Sequence, residues 1–204
     1  MPPGPIIGLT GNIACGKSTV LRVLRELGAQ TIDADELTHR ALAPDGAAYD
    51  GVVLAFGPGV LTEAGEIDRG ALGRIVFSDP AELARLEALV QPHVRAQINK
   101  LLASASSPVV IDAIKLFEGG LAERCDEVWV VVCRPEQQVE RLIRRNNYSR
   151  EEALMRIRAQ PPQEAKVRLA DVIIDNSGTE EETRRQVTCA WERALLPRPR
   201  RSAT

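Results

Sequence analysis

Short apolar runs alternate along the chain with segments whose apolar positions recur every three or four residues. The short runs are rich in β-branched residues and are apolar throughout, most clearly at residues 128–132, instead of alternating with polar positions. Such runs are typical of strands that helices cover on both faces of a parallel sheet. We therefore predict five strands, at residues 5–10, 30–33, 108–113, 127–133 and 171–175.

The segments with helical periodicity separate these strands. Pro80 and Pro135 each fall in the first turn of such a segment, where the backbone nitrogen has no partner within the helix. Strands that alternate with helices predict an α/β fold built on a parallel sheet. We predict helices at residues 18–27, 34–42, 69–77, 80–104, 135–146, 150–159 and 180–195.

Two connections are much longer than an α/β fold needs. About 75 residues separate the second strand from the third, and most have a helical pattern, so we predict a helical insertion at residues 44–105 of a single domain, residues 1–204. The second excursion, residues 143–169, is polar, helical and cationic, which favours a lid that closes over phosphates, although a solvated helix face has the same composition. Its cations are Arg144, Arg145, Arg150, Arg156, Arg158, Lys166 and Arg168.

The turn after the first strand has the pattern of a phosphate-binding loop. Residues 11–18 read G-N-I-A-C-G-K-S, which matches G-x-x-x-x-G-K-[ST] and lies between a predicted strand and a predicted helix. Gly11 and Gly16 allow backbone N–H groups to curl around a phosphate at the positive end of the helix. Lys17 is expected to reach the β- and γ-phosphates, and Ser18 to offer its hydroxyl to Mg²⁺. The pattern predicts a site for a nucleoside triphosphate with magnesium.

Two carboxylates follow the second strand. Ligands of an open parallel sheet bind at the carboxyl ends of its strands, so Asp33 and Asp35 are expected to meet the acceptor of a phosphoryl group. Alternation along an extended segment places both on one side, with Asp33 as the base that takes the acceptor's proton and Asp35 holding the substrate or the metal shell. An alternative is that Asp35 caps the next helix.

The nucleobase is expected to be adenine. Guanine-binding GTPases present an N-K-x-D segment after a strand, and this chain has none. The fifth strand runs instead into D-N-S-G at residues 175–178, a turn whose polar groups can contact an adenine edge. An ordinary β-turn is the alternative reading of these four residues.

The composition favours a small-molecule enzyme of the cytoplasm. The 204 residues are 44% hydrophobic and 3% aromatic with a net charge of -2, which supplies a core but neither the cationic field nor the stacking platforms of a nucleic-acid binder. We find no membrane-spanning run or export signal, and the irregularly spaced cysteines fit reduced thiols.

Cys15, inside the loop, is either redox-sensitive or a small residue tolerated in a tight turn. The basic cluster Arg198, Arg200 and Arg201 is assigned no function.

Five segments together closely resemble the dephospho-CoA kinase family. They are G-L-T-G-N-I-A-C-G-K-S-T-V at the loop, I-D-A-D-E-L-T-H-R after the second strand, F-G-P-G-V-L-T-E-A-G-E-I-D-R-G-A-L-G-R-I-V-F in the insertion, R-L-I-R-R-N-N-Y-S-R-E-E-A-L-M-R-I-R-A-Q in the lid and A-D-V-I-I-D-N-S-G at the fifth strand. The resemblance extends over residues 6–191. It implies a three-layer P-loop kinase fold with a helical acceptor-binding insertion and a helical lid. It also implies that ATP phosphorylates the ribose 3′-hydroxyl of dephospho-CoA, giving CoA and ADP in the last step of CoA biosynthesis.

The resemblance implies roles for individual residues as well. The ATP phosphates are assigned to Gly11, Asn12, Ile13, Ala14, Cys15, Gly16, Lys17, Ser18 and Thr19. The expected catalytic set is Asp33, Lys17, Arg141 and Arg145, with Arg156 as a further lid contact and with Gln160 and Lys166 matching the lid motif. The acceptor is assigned to Asp33, Asp35, Asp68 and Arg69, with Leu72 shaping its pocket, and adenine is expected near Asn176. Arginine suits the lid because its guanidinium stays charged and can bridge phosphate oxygens.

Two positions depart from the family's pattern. Many members have H-P in the insertion where this chain has Gln91 and Pro92, with His93 one position later, so a histidine role in acceptor binding is not carried over. Many also have P-L-L-F-E after the third strand, where residues 114–118 read I-K-L-F-E. Lys115 adds a cation there that either contacts a substrate phosphate or lies in solvent, and we count it among the substrate-binding candidates.

Two other classes of protein share part of this pattern. A nucleoside monophosphate kinase has the same loop, insertion and lid, and differs in its acceptor. A regulatory nucleotide-binding module would need the loop alone. Asp33 and the arginine-rich lid argue against the module, because binding requires neither a base nor closing cations.

Overall fold

All five predicted strands form, and they join one parallel sheet with β1 at its centre. The computed structural model describes residues 2–196, so Arg198, Arg200 and Arg201 lie outside the described residues. The strands are β1 (Ile6–Thr10), β2 (Gln30–Asp33), β3 (Val109–Asp112), β4 (Glu127–Val132) and β5 (Val172–Asp175), each within one residue of its predicted bounds. Their order is β2-β3-β1-β4-β5, which confirms the predicted α/β fold with a five-stranded parallel sheet.

The seven predicted helices are present, and two more form among the described residues. The helices are α1 (Lys17–Glu26), α2 (Ala34–Ala41), α3 (Tyr49–Phe56), α4 (Arg69–Val76), α5 (Pro80–Ser104), α6 (Pro135–Asn146), α7 (Arg150–Arg158), α8 (Gln163–Val167) and α9 (Glu180–Ala194). The sequence does not predict α3, which is apolar on most of its surface and so lacks a periodic signal, or α8, which has only five residues. In this part of the chain no helix combines the length and apolarity that crossing a membrane would need.

The core is built where the central strands meet α1 and α9. Every residue of β1 is buried, and Trp129 on the neighbouring strand β4 is fully enclosed. One continuous apolar cluster joins these strands to Val20 and Leu24 of α1 and to Trp191 of α9. Burying a large apolar side chain contributes about 1.5–3 kcal/mol. The loop between β1 and α1 is therefore held between the best-packed elements of the protein.

The chain divides into two compact units. One unit combines the segments before Asp33 and after Ala103 and contains most of the sheet with α1 and α6–α9. The other spans Asp33–Ala103 and contains α2, α3, α4 and most of α5. The insertion predicted at residues 44–105 overlaps the second unit, which begins earlier because α2 belongs to it.

Candidate active site

The phosphate-binding loop takes a conformation that its two glycines permit. Gly16 caps the N-terminus of α1 with a φ of 94°, in the left-handed region that a side chain disfavours. A Cβ atom at Gly16 would overlap the side-chain nitrogen of Asn176, and one at Gly11 would lie 2.6 Å from the carbonyl oxygen of Val131. Neighbouring atoms thus approach both positions too closely for a residue with a Cβ atom, so both positions require glycine.

The start of α1 gives this loop the character of an anion site. Backbone N–H groups in the first turn of a helix have no partner within it, and the helix dipole adds positive potential there. The loop folds back on itself through hydrogen bonds from Cys15 N–H to the Asn12 carbonyl (3.2 Å) and from Thr19 N–H to the Gly16 carbonyl (3.0 Å). A phosphate group placed at this helix start would be held by backbone donors and by Lys17.

Lys17 forms an ion pair with Asp112, a residue that the sequence analysis missed. The Lys17 ammonium donates to the Asp112 carboxylate, and both side chains are largely buried, with exposed fractions of 16% and 12%. Asp112 ends β3 beside Leu9 of β1, so the pair lies at the carboxyl edge of the sheet. The signal was present in the sequence, because V-V-I-D is an otherwise apolar strand that ends in a carboxylate.

Two oxygen donors near this edge suit a magnesium ion. Ser18, in the first turn of α1, carries the predicted hydroxyl, and Asp112 adds a carboxylate. Mg²⁺ in nucleotide sites commonly takes one or two protein oxygens and completes its shell with phosphate oxygens and water. Among residues 2–196 we find no cluster of three or more His, Cys, Asp or Glu side chains with the arrangement of a metal site.

Side chains from other elements hold the carbonyl groups of the loop. Arg141 and Asn176 both donate to the carbonyl oxygen of Cys15, at 3.1 and 2.9 Å. Arg141 also donates to the carbonyl of Asn176 (2.8 Å), and Gln138 donates to the carbonyl of Ile13 (2.6 Å). Arg141 was predicted as a catalytic lid cation and Asn176 as a neighbour of adenine. The structure places both against the backbone of the phosphate-binding loop.

The predicted lid is attached to the same loop at both of its ends. Val139 and Leu142 of α6 and Ala153 of α7 form a small buried apolar cluster against which Ile13 and Ala14 pack. At the far end, a short return segment precedes and begins α8. This segment makes three hydrogen bonds with the loop: Ile13 N–H to Gln160 (2.7 Å), the Asn12 amide to the Pro161 carbonyl (3.0 Å) and the Cys15 thiol to Gln163 (3.2 Å).

The lid cations differ in how they are held. Arg145 is exposed and donates to the side chain of Asn146 (2.9 Å), while the Arg156 guanidinium lies 4.4 Å from the ring centre of Tyr148. Lys166 is buried and donates to the carbonyl of Ile114 (2.8 Å), just after β3. Lys115, which follows Ile114 in the chain, is exposed. The six arginines of the predicted lid are therefore exposed, with Arg156 against the Tyr148 ring, whereas Lys166 is buried.

The carboxylate that caps α2 is Asp33, so the alternative reading of Asp35 as the helix cap is wrong. The Asp33 side chain accepts the N–H of Glu36 at 2.9 Å, and the helix begins at Ala34. The segment from Asp33 to Asp35 is therefore not extended, and alternation along a strand does not place both carboxylates on one side. Asp35 lies in the first turn of α2, where a negative charge is favoured by the helix dipole.

The remaining acceptor candidates belong to the insertion. Asp68 caps α4 by accepting the N–H groups of Gly70 (2.8 Å) and Ala71 (3.1 Å). Arg69 hydrogen-bonds the ring nitrogen of His39 (2.7 Å). Leu72 is buried on the same helix, and Pro92 lies inside α5, next to Gln91, whose side-chain oxygen is buried with no hydrogen-bond partner.

The four cysteines are unpaired thiols in different surroundings. A hydrogen bond with the Cys133 thiol lowers the pKa of the buried Cys15, and the same pairing, together with burial, raises the pKa of Cys133. Burial raises the pKa of Cys125 to about 12. Cys189 is exposed on α9.

We expect iodoacetamide at pH 8 to modify Cys189 before Cys125 in the folded protein. Alkylation requires an accessible thiolate, and Cys125 provides little of it because burial raises its pKa to about 12, whereas Cys189 is exposed. Peptide mapping by mass spectrometry over a time course measures the order. Modification of Cys125 as fast as that of Cys189 would contradict the burial of the Cys125 thiol.

Comparison with known proteins identifies the family. The family model for dephospho-CoA kinase matches residues 5–182. A relative named dephospho-CoA kinase from Carboxydothermus hydrogenoformans is 50% identical over 187 residues, which cover 90% of this chain and 91% of the relative. A crystal structure of a Thermus thermophilus protein has a TM-score of 0.84 at 36% identity and covers 95% of this chain and 99% of its own. The dephospho-CoA kinase from Campylobacter jejuni has a TM-score of 0.67 at 28% identity, over 96% of this chain and 98% of its own. The chain therefore belongs to the dephospho-CoA kinase family.

Proposed function

We propose that this chain transfers the γ-phosphoryl group of ATP to the ribose 3′-hydroxyl of dephospho-CoA. The products are CoA and ADP, and the reaction is the final step of CoA biosynthesis. The observation that carries the proposal is the glycine loop at the start of α1, with the Lys17–Asp112 ion pair at the carboxyl edge of the sheet, in a member of this family. The net charge of -2 and the 3% aromatic content argue against a nucleic-acid acceptor and so support a small-molecule one.

The donor side is assembled by backbone N–H groups and one cation. The N–H groups of the loop and of the first turn of α1 hold the β- and γ-phosphates, and the Lys17 ammonium neutralises charge that develops on the transferred group. Ser18 and Asp112 are the residues that would hold Mg²⁺, which would supply positive charge to neutralise the triphosphate. Because phosphoryl transfer needs positioning more than covalent chemistry, a rigid loop at this place is the main requirement.

The acceptor side requires a base and an anchor for the substrate. We assign Asp33 to take the proton of the 3′-hydroxyl as its oxygen bonds to the γ-phosphorus and the bond to the β–γ bridging oxygen breaks. Asp35, Asp68, Arg69 and Lys115 are the proposed acceptor contacts. A carboxylate can cap a helix and still accept a proton, since the Glu36 N–H engages only one of the two Asp33 oxygens.

The lid completes the site by adding positive charge. Arg145 and Arg156 are proposed to turn toward the phosphates when the lid closes, which would exchange the Asn146 and Tyr148 contacts for charge-assisted hydrogen bonds. Arg141 is proposed to add its positive charge to the site from its present position, where it donates to the carbonyl oxygen of Cys15 in the loop. An arginine at each place keeps its charge at any working pH.

An acceptor screen with the purified protein tests the function. With ATP and magnesium we expect dephospho-CoA to be converted to CoA, and AMP, CMP and UMP to give no product, as measured by mass spectrometry of the nucleotides and by phosphorus NMR of the new 3′-phosphate. Conversion of a nucleoside monophosphate but not of dephospho-CoA would replace the proposal with a nucleoside monophosphate kinase. Tight ATP binding with no product from any acceptor would replace it with a regulatory module.

A further inference from the structure

We propose that Asn176, held in place by Thr183, is a positioning residue that aims the Gly16 N–H of the phosphate-binding loop at the triphosphate. The inference rests on the proposed function, since it names how the nucleotide site of that function is kept in shape. It differs from the role that family resemblance suggests for Asn176, which is a contact with adenine.

The side chains of Thr183 and Asn176 form a chain of hydrogen bonds that ends on the backbone of the loop. The Thr183 hydroxyl on α9 donates to the side-chain oxygen of Asn176 at 3.0 Å, and the Asn176 amide donates to the carbonyl oxygen of Cys15 at 2.9 Å. Thr183 is fully buried and Asn176 is 6% exposed. The backbone of Asn176 is fixed as well, because its N–H donates to the Val132 carbonyl (2.8 Å) and its own carbonyl accepts from Arg141 (2.8 Å).

The Cys15 carbonyl, which can only accept, and the Thr183 hydroxyl together fix which way the Asn176 amide faces. If the amide were turned over, its oxygen would lie against the carbonyl oxygen of Cys15, and two acceptors would meet without a proton between them. With the amide oxygen toward Thr183, the Thr183 hydroxyl donates to that oxygen, and the amide nitrogen of Asn176 donates to the Cys15 carbonyl. Thr183 Oγ also lies 3.2 Å from the Thr179 carbonyl, which is the alternative acceptor that the hydroxyl would choose if Asn176 were removed.

Holding the Cys15 carbonyl also orients the next N–H. A trans peptide is planar, so the carbonyl of Cys15 and the N–H of Gly16 point in opposite directions from the same peptide unit. Because Asn176 and Arg141 both donate to this carbonyl, the Gly16 N–H is directed away from them, to the opposite side of the peptide unit. Gly16 has no Cβ, and a Cβ there would overlap the Asn176 amide. The glycine and the asparagine therefore fit only as a pair.

A positioning role and an adenine contact predict different ligand dependence. If Asn176 orients a phosphate donor, its loss weakens binding of any triphosphate, including one without a base. If it reads adenine, only nucleotides with that base are affected. Inorganic tripolyphosphate is the probe that separates the two roles.

The test compares Thr183→Val, Thr183→Ser and Asn176→Asp with Thr188→Val as the control. Valine has the shape of threonine without the hydroxyl, serine restores the hydroxyl, and aspartate keeps the size of asparagine without the N–H. Thr188 lies on the same helix, is partly exposed, and so controls for the Thr→Val change itself. Titration calorimetry measures ATP and tripolyphosphate binding, and thermal unfolding of each unliganded variant reports on folding.

We expect Thr183→Val to weaken ATP and tripolyphosphate by the same factor of about ten, the size of one hydrogen bond. Asn176→Asp should weaken both at least as much, while Thr183→Ser and Thr188→Val bind like the wild type. The proposal is overturned if Thr183→Val and Asn176→Asp bind tripolyphosphate normally, or if Thr183→Ser loses as much as Thr183→Val. If this binding pattern holds but the wild type leaves dephospho-CoA unchanged, the proposed function fails and the positioning role stands.

Discussion

Replacing Lys17 by alanine is expected to lower the turnover of dephospho-CoA by about a hundredfold or more. The ammonium group is the one side-chain cation that the structure places within the phosphate-binding loop itself among the described residues, where it pairs with Asp112. Its loss removes preorganised positive charge from the γ-phosphate and leaves the Asp112 carboxylate without the ammonium that it contacts. Removal of a single preorganised electrostatic group of this kind typically costs two to three orders of magnitude in rate.

The measurement is steady-state formation of CoA at saturating ATP, so that weaker binding does not hide the loss of turnover. Lys100→Ala is the matched control, because Lys100 is exposed near the end of α5 and has no proposed role. Thermal unfolding of both variants separates folding from catalysis. Activity of Lys17→Ala within a few-fold of Lys100→Ala would remove the phosphate-binding assignment of the loop.

The sheet and most of the helices could be predicted from the sequence because each has a local signal. Largely apolar, β-branched runs predicted β1, β3, β4 and β5, and proline in the first turn located the starts of α5 and α6. The remaining strand, β2, was predicted although Q-T-I-D has Ile32 as its single apolar residue. The prediction failed where the signal was absent. Residues 49–56 form α3 although their pattern has no polar face, and residues 163–167 form α8 although they are too few to show a period. Both helices depend on tertiary packing more than on their own sequence.

The site was predictable where one motif carries the chemistry and not where distant residues meet. The loop at residues 11–18 was found because its spacing is itself the signal. Gln138 and Asn176 are more than 100 positions away from the carbonyls that they hold, and no local pattern predicts such contacts. The alternative that Asp35 caps α2 was wrong, although the predicted start of this helix at residue 34 was right and already leaves Asp33 in the capping position.

Asp33→Asn is expected to leave ATP binding intact and to lower phosphoryl transfer by about two to four orders of magnitude. General-base catalysis by a carboxylate contributes a factor of this size, and an amide cannot take the proton of the 3′-hydroxyl. The substitution is clean because asparagine caps a helix as well as aspartate does, so the contact of residue 33 with the Glu36 N–H and the start of α2 are retained.

The matched control is Asp79→Asn, which removes a second helix-capping carboxylate in the same unit, where Asp79 accepts the N–H of Ala81 at 2.8 Å. If the base assignment is right, only Asp33→Asn separates the two measurements, with an unchanged ATP titration and suppressed formation of CoA. Equal damage to binding and to transfer would show instead that Asp33 serves the structure or the metal shell. If the two variants formed CoA equally fast, removal of charge at a helix cap would account for any loss of activity. The proton would then leave the 3′-hydroxyl by a route other than Asp33.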